Sequence, residues 1–115
     1  MYDFIHGNLA YKNPTTVTIE TNGIGYKIHI PLSTFEKISN KEKVKLHTKL
    51  AIRDDEIKIY GFYSLEERDL FSLLLSVNGV GSSVALTILS SSSISQFERY
   101  VVNNDPKSLQ RIKGI

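Results

Sequence analysis

The clearest strand pattern in the chain is VKLHTKLAIRDDEIKIYGF, residues 44–62. Apolar and basic residues alternate on both sides of Asp54-Asp55, a pair that suits a tight turn. The pattern predicts a hairpin that covers a hydrophobic core on one side. Its predicted apolar face contains Val44, Leu46, Leu50, Ile52, Ile57 and Ile59, and Tyr60 to Phe62 complete the last strand.

The same alternation continues toward the N-terminus. Residues 16–21 alternate, Asn22-Gly23 is a strong hairpin signal, and Pro31 ends the strand that follows. An opening strand near residues 4–11 brings the total to about five strands in about 60 residues, which fits a five-stranded barrel of the oligonucleotide-binding (OB) type. The strand before Pro31 is predicted to place four apolar residues on one face: Ile24, Tyr26, Ile28 and Ile30.

After Phe62 the apolar spacing becomes helical. Capping boxes at Ser33–Glu36, Ser64–Glu67 and Ser93–Gln96 predict three helix starts, and Asp105-Pro106 predicts a fourth. The helix from Ser64 is predicted to end at Asn78-Gly79-Val80-Gly81, and Ser90 to Ser93 is predicted to be a polar link. Two predicted apolar faces contain Leu65, Leu70, Phe71, Leu74 and Leu75 in one helix and Val84, Leu86, Ile88 and Leu89 in the next.

The sequence therefore predicts an α+β protein of two small domains, an OB-fold barrel at residues 1–63 and a helical domain at residues 64–115. The absence of cysteine excludes a disulfide scaffold and thiolate metal sites, and it favours a cytoplasmic location. No apolar run approaches the roughly 20 residues of a membrane helix. Residues 1–62 hold nine Lys/Arg against seven Asp/Glu, and residues 63–115 hold five of each. A neutral second half would bind nucleic acid mainly through backbone amides.

The most specific local signal is Asn78-Gly79-Val80-Gly81, followed by Ser82 and Ser83. Two glycines two residues apart let the backbone approach a ligand, and the amides that open the next helix suit a phosphate. A plain turn between helices is the alternative. Lys113-Gly114-Ile115 begins a second segment of the same kind, so the pattern predicts tandem helix-hairpin-helix units of which the second is incomplete.

A basic stripe on the sheet is the second candidate feature. Such a stripe is the electrostatic footprint of a nucleic-acid platform, although a solvated sheet face is the alternative. The three histidines lack metal-ligand spacing, so no metal site is predicted. The stripe consists of Lys27, His29, Lys45, His47, Lys49, Arg53 and Lys58.

Asp54-Asp55-Glu56 places three acids at the tip of the predicted hairpin. Three interpretations are open. The acids bind a divalent cation for nuclease chemistry, they serve as turn residues, or they repel phosphate and so direct DNA strands. A catalytic metal site normally gathers carboxylates from separate elements, and the sequence offers no evident second set.

Several short motifs, in this order and spacing, together resemble the RuvA family over the whole chain. They are residues 1–7, Asn22-Gly-Ile-Gly-Tyr26, Arg53-Asp-Asp55, Tyr60-Gly-Phe62, Glu67-Arg-Asp-Leu-Phe71 and Asn78-Gly-Val-Gly81 with Ala85 to Leu89. The resemblance implies an OB-fold domain, two helix-hairpin-helix motifs and a homotetramer that holds a four-way (Holliday) junction open. It also implies loading of the hexameric RuvB ATPase, which moves the branch point in recombination and DNA repair, with a RuvC-like resolvase as a further partner.

By position, the resemblance makes Asp54 and Asp55 an acidic pin at the junction centre. Gly79 and Gly81 become the phosphate-binding glycines of the first hairpin, and Gly114 begins the second. It implies a DNA-binding accessory subunit without cofactor or catalytic residues. Ser82 and Ser83 replace the family's Pro-Lys, Lys113 replaces its proline, and the RuvB-binding third domain is expected beyond Ile115.

A generic OB-fold nucleic-acid module without junction preference is the alternative function. Aromatic side chains that project from the polar sheet face would favour it, because unpaired bases stack on them. The pattern instead places the aromatic residues Phe4, Tyr26, Phe62 and Phe71 in the core.

Overall fold

The computed structural model of the chain describes residues 2–91, which divide between two compact units, Met1–Arg68 and Asp69–Ile115. Within these residues there are five strands and three helices. The helix starts predicted at Ser93 and Asp105, and the second hairpin predicted at residues 113–115, lie outside the described residues.

The first unit contains a closed barrel with the strand order β1-β2-β3-β5-β4. Its neighbouring strands are antiparallel except for β3 and β5, which are parallel. The predicted five-stranded barrel is confirmed. The strands are β1 (Phe4–Lys12), β2 (Thr16–Thr21), β3 (Ile24–His29), β4 (Lys43–Arg53) and β5 (Glu56–Phe62).

The barrel is filled by the inward side chains of alternating residues, as the period of two predicts. Its core consists of Ile5, Val17, Ile19, Ile28, Ile30, Ile38, Val44 and Leu46. Three predicted core residues are exposed instead: Ile24 at 55%, Ile52 at 73% and Ile57 at 62%. They lie beside the two hairpin turns, where the strands extend beyond the packed interior. Alternation predicts the side of the sheet but not whether another layer covers it.

A short helix, α1 (Leu32–Ile38), connects β3 to β4. The predicted capping box at Ser33–Glu36 is wrong, because Pro31 is the N-cap and no side chain caps the helix. The Ser33 hydroxyl instead donates to Glu67 Oε2 at 3.2 Å. The residue that read as a local cap therefore makes a contact 34 positions away along the chain.

The helix α2 (Leu65–Leu75) begins at the predicted capping box. The Glu67 amide donates to Ser64 Oγ, and the Ser64 hydroxyl donates to Glu67 Oε1, both at 3.2 Å. Glu67 is only 3% exposed, and both of its carboxylate oxygens accept hydrogen bonds. The reciprocal pair satisfies an amide that the first helical turn leaves without an acceptor.

A second helix of this region, α3 (Ser82–Ser91), follows α2. The predicted polar link starts too early, because Ser90 and Ser91 belong to α3. Leu70, Phe71 and Leu74 of α2 are buried as predicted, whereas Leu65 is 42% exposed. In α3 the fully buried positions are Ala85, Ile88 and Leu89, and the predicted core residues Val84 and Leu86 are only half-buried.

Candidate nucleic-acid interface

The β4–β5 hairpin turns through Asp54 and Asp55. Arg53 and Glu56 are cross-strand partners, so the loop contains only these two residues. Both aspartates are exposed and have positive φ, 52° and 63°. Positive φ at both central residues is the type I′ arrangement, which fits the twist of a hairpin but is disfavoured for residues with a side chain. The turn therefore presents two adjacent carboxylates to solvent at a steric and electrostatic cost.

The connection between α2 and α3 contains the predicted glycine motif. α2 ends at Leu75, and the amides of Ser76 and Val77 donate to Leu73 and Leu74 at 3.1 and 3.0 Å. Gly79 has a φ of 84°, which a residue with a Cβ rarely adopts. The Val80 amide donates to the Val77 carbonyl at 3.1 Å, and Val80 is 6% exposed. A buried Val80 fixes the turn while Asn78 and Gly79 stay at the surface.

Gly81 lies directly before α3. Its carbonyl accepts from the Ala85 amide at 2.9 Å, so it is the residue from which the helical hydrogen bonds start. A Cβ at Gly81 would meet no heavy atom within 4 Å, and its φ is ordinary. Among the described residues no contact prevents a side chain at Gly81, so packing alone does not account for the glycine. The amides that open the first turn of α3, including those of Ser82 and Ser83, have no acceptor within the helix.

The predicted basic stripe lies on the outer side of the sheet. In β4 the side chains of Val44, Leu46 and Thr48 are buried, which turns the alternate positions outward. Cross-strand register places Lys49 beside Tyr60 and Lys58 beside Ala51. The stripe divides into two groups, with Lys27, His29 and Lys58 along β3 and β5, and Lys45, His47, Lys49 and Arg53 along β4.

His29 is partly buried and lies near the charges of Lys58 and Lys27 in the first group. Burial lowers the pKa of His29 below its ordinary value, and the charges of Lys58 and then Lys27 lower it further, while Glu56 opposes them. The imidazole ring lies 5.6 Å from the Tyr60 ring. His29 is therefore a neutral side chain at pH 7, and the positive charge of this group belongs to the lysines.

The sequence pattern missed a cationic and aromatic cluster at the start of β4. Lys41 and Lys43 continue the alternation of Lys45 toward the N-terminus, with one residue between successive lysines. They were overlooked because the stretch around them was interpreted as a polar linker. Phe4, predicted to be core, is 50% exposed with the Lys45 ammonium 4.3 Å from its ring centroid. Ile5 faces the core, so its neighbour Phe4 faces outward, beside its cross-strand partner His47. The prediction was wrong because Phe4 and Ile5 are adjacent apolar residues, and the sequence does not show which of the two faces inward.

Comparison with known proteins assigns both halves of the chain. The family described as RuvA N terminal domain matches residues 1–61. The chain belongs to the RuvA family. The family described as SAM-like Helix-hairpin-helix tandem matches residues 71–115, so the match includes both the described α2–α3 turn and the residues beyond it.

Several RuvA proteins align with the whole chain. Proteins named Holliday junction branch migration complex subunit RuvA are 43% identical in Christiangramia forsetii, 42% in Acetivibrio thermocellus and 39% in Cytophaga hutchinsonii. Each alignment covers 100% of this chain and 60, 57 and 58% of the respective relative. The chain thus spans less than two thirds of the length of these RuvA relatives.

Residues 2–91 of this RuvA chain contain no group of three or more His, Asp or Glu side chains arranged to hold a metal ion. Asp54, Asp55 and Glu56 are neighbours in sequence but do not form such a group. None of the helices within the described residues is long and apolar enough to cross a membrane.

Proposed function

We propose that the chain binds four-way (Holliday) DNA junctions, as the RuvA-like subunit of a branch migration complex in recombination and DNA repair. The observation that carries this proposal is the pair of exposed carboxylates at the tip of a hairpin whose outer face is basic. Phosphate is attracted to the lysines along the strands and repelled by Asp54 and Asp55 at the tip. A surface that is positive along the strands and negative at the tip favours a junction, whose DNA strands separate at the centre. It disfavours a continuous duplex, which would place phosphates against the acids.

The α2–α3 turn supplies the phosphate contacts in this proposal. The buried Val80 positions the turn, and Gly79 and Gly81 leave it open to a DNA backbone. Amides at the start of α3 carry the positive end of the helix dipole and donate to phosphate oxygens. Ser82 and Ser83 add hydroxyl donors where the family has Pro-Lys. Contact of Lys113, Gly114 and Ile115 with a second phosphate belongs to the same proposal.

The proposal extends to assembly. Residues 1–63 form the tetramerisation and DNA platform, residues 64–115 form the helix-hairpin-helix domain, and four copies surround one junction. The chain itself carries out no catalysis, and a RuvB-like ATPase moves the branch point in the cytoplasm. A RuvC-like resolvase acts on the same junction. The names of the relatives, which include the Holliday junction and a branch migration complex, support junction binding and membership of such a complex.

Gel shifts with the 115-residue chain test the function. A four-way junction and a linear duplex of equal arm length are compared over a range of salt concentrations. We expect tighter binding to the junction than to the duplex. Affinity should fall as salt rises, and each phosphate contact should make the slope of log affinity against log salt more negative by about 0.9. Equal affinity for the two DNAs would instead favour a generic nucleic-acid module.

Gly81→Ala tests the phosphate site without introducing a steric clash, because a Cβ there meets nothing within 4 Å. The urea midpoint should fall slightly, since Gly81 is the N-cap of α3 and alanine is a poorer N-cap than glycine. Junction affinity should fall by roughly tenfold as the methyl group separates the amides from a phosphate. Ser90→Ala, which alters an exposed residue in the last turn of α3, is the matched control and should leave binding intact. Unaltered junction binding by Gly81→Ala would remove this turn from the interface.

A further inference from the structure

A basic groove lies at the start of β4, with a volume of about 350 Å³. Ile38 and Val44 form its apolar base, and its other lining residues are Lys41, Lys43, Lys45, His47 and Tyr63. All of these residues belong to the barrel unit. The groove therefore combines three lysines and an aromatic ring above a small apolar base.

The Tyr63 ring at the groove is accessible. Tyr63 is 40% exposed, and the ammonium groups of Lys37 and Lys41 lie 5.2 and 5.7 Å from its ring centroid. These distances are within the range of a cation–π interaction. The Tyr63 amide donates to Thr34 Oγ1 at 3.2 Å, which anchors its backbone against α1. The ring is thus held at the surface by its own main chain, with cations around it.

The lysines that line the groove have no carboxylate partner among the described residues. Lys41, Lys43 and Lys45 form no ion pair within residues 2–91, where Arg68 pairs with Asp3. Lys37 and Lys12 differ, since Lys37 lies in the last turn of α1 and Lys12 donates to the Ser39 carbonyl at its end. Glu36 and Glu42 are the nearby acids in sequence and both are exposed. Three neighbouring ammonium groups without carboxylate partners match an anionic ligand.

The groove is distant from the acidic turn. β4 contains 11 residues from Lys43 to Arg53, so the path along the strand between these ends is roughly 33 Å at about 3.3 Å per step. The groove lies at one end of this strand, and Asp54 and Asp55 lie at the other. Charge repulsion by the acids therefore has little influence on a ligand in the groove, since the screening length is about 8 Å at physiological salt.

We propose that the basic groove binds single-stranded polynucleotide, with phosphates at Lys41, Lys43 and Lys45 and one unpaired base stacked on Tyr63. A track of cations beside an exposed aromatic ring is the combination that single-strand-binding proteins use. Paired bases present no free face for stacking, so a duplex cannot use Tyr63 in this way. The proposal goes beyond junction binding and does not depend on it.

Fluorescence anisotropy of labelled dT15 and rU15 with the 115-residue chain tests the proposal. Tyr63→Leu should weaken binding at least about fivefold, because one stacked base is lost. Tyr63→Phe should bind like the unaltered chain, because it keeps the ring. Lys41→Gln with Lys43→Gln should reduce the log–log salt slope by about 1.4, since each single-strand contact contributes about 0.7. Preference for dT15 or for rU15 would identify the natural polynucleotide, and either supports the site.

Tyr11→Leu is the matched control, because Tyr11 is also an exposed tyrosine, on β1 at 58% exposure against 40% for Tyr63, and lies outside the groove lining. Its binding should equal that of the unaltered chain. Thermal unfolding of each variant separates a binding defect from loss of the fold. Equal affinity for dT15 and a 15-base-pair duplex, or a Tyr63→Leu variant that binds as well as Tyr11→Leu, would overturn the proposal.

Discussion

The β2–β3 hairpin turns through Asn22-Gly23, and the β4–β5 hairpin turns through Asp54-Asp55. All four residues have positive φ, and both loops contain two residues between cross-strand partners. Asn-Gly is the sequence most compatible with this backbone, whereas Asp-Asp places two side chains and two negative charges in it. The same turn geometry is therefore built once with the least strain and once at a cost. Turn stability alone would therefore not select the acidic pair.

Moving the acidic pair to the other turn should have the largest effect on stability. Asn22→Asp with Gly23→Asp should lower the free energy of unfolding by about 2 kcal/mol, because Gly23 has a φ of 84°. The cost is one of backbone conformation, since a Cβ at Gly23 meets nothing within 4 Å. Urea denaturation measures the change. Asn22→Asp alone is the control and should cost far less, and an equal loss from it would contradict this explanation.

The reverse exchange should stabilise the protein by a smaller amount. Asp54→Asn with Asp55→Gly gives the second turn the sequence of the first and removes both like charges. We expect the free energy of unfolding to rise by about 1 kcal/mol. The urea midpoint provides the test. A midpoint that falls or stays constant would mean that the aspartates cost nothing in this turn, and the comparison of the two hairpins would lose its basis.

The smallest expected effect is a change of stability with pH. It arises at His29, where the two hairpins meet through the parallel pairing of β3 and β5. Burial, with Lys58 and Lys27, lowers the pKa of His29, so the folded protein binds its proton less readily than the unfolded chain. Stability should therefore decline slightly as pH falls below about 6.5, the ordinary histidine value, until the lowered pKa is passed. His29→Gln should reduce this slope in pH-dependent urea unfolding. His6→Gln, at an exposed position of β1, is the control, and an equal reduction by both variants would exclude His29 as the source.

The sequence allowed the barrel and the first two helix-hairpin-helix elements to be predicted, because period-two alternation, turn pairs and the Ser64–Glu67 cap are local signals. Exposure was harder to predict. Ile52 and Ile57 are cross-strand partners on the core side, yet they extend past the packed interior. Whether another layer covers a residue depends on contacts distant in sequence. The Ser33 prediction was wrong for the same reason, since its partner Glu67 lies 34 residues away.

The candidate site was predictable only in part. The acidic turn and the glycine motif are each a short run of consecutive residues, so a local pattern reveals them. The acidic turn lies at the tip of the β4–β5 hairpin, and the glycine motif lies directly before α3. The basic groove was not predicted, because it brings Tyr63 next to Lys41 from 22 positions away. Folding of the barrel creates that neighbourhood, and no short sequence pattern encodes it.

We propose that Asp54 and Asp55 act on DNA by repulsion. Asp54→Asn with Asp55→Asn tests it most directly, since asparagine has nearly the same shape and tolerates the same positive φ. Junction affinity of the 115-residue chain is measured by titration at low salt, where exposed charges are least screened. Removal of two repulsive charges should tighten binding by roughly tenfold. Weaker binding by the double variant would contradict the account, because the carboxylates would then be attractive contacts.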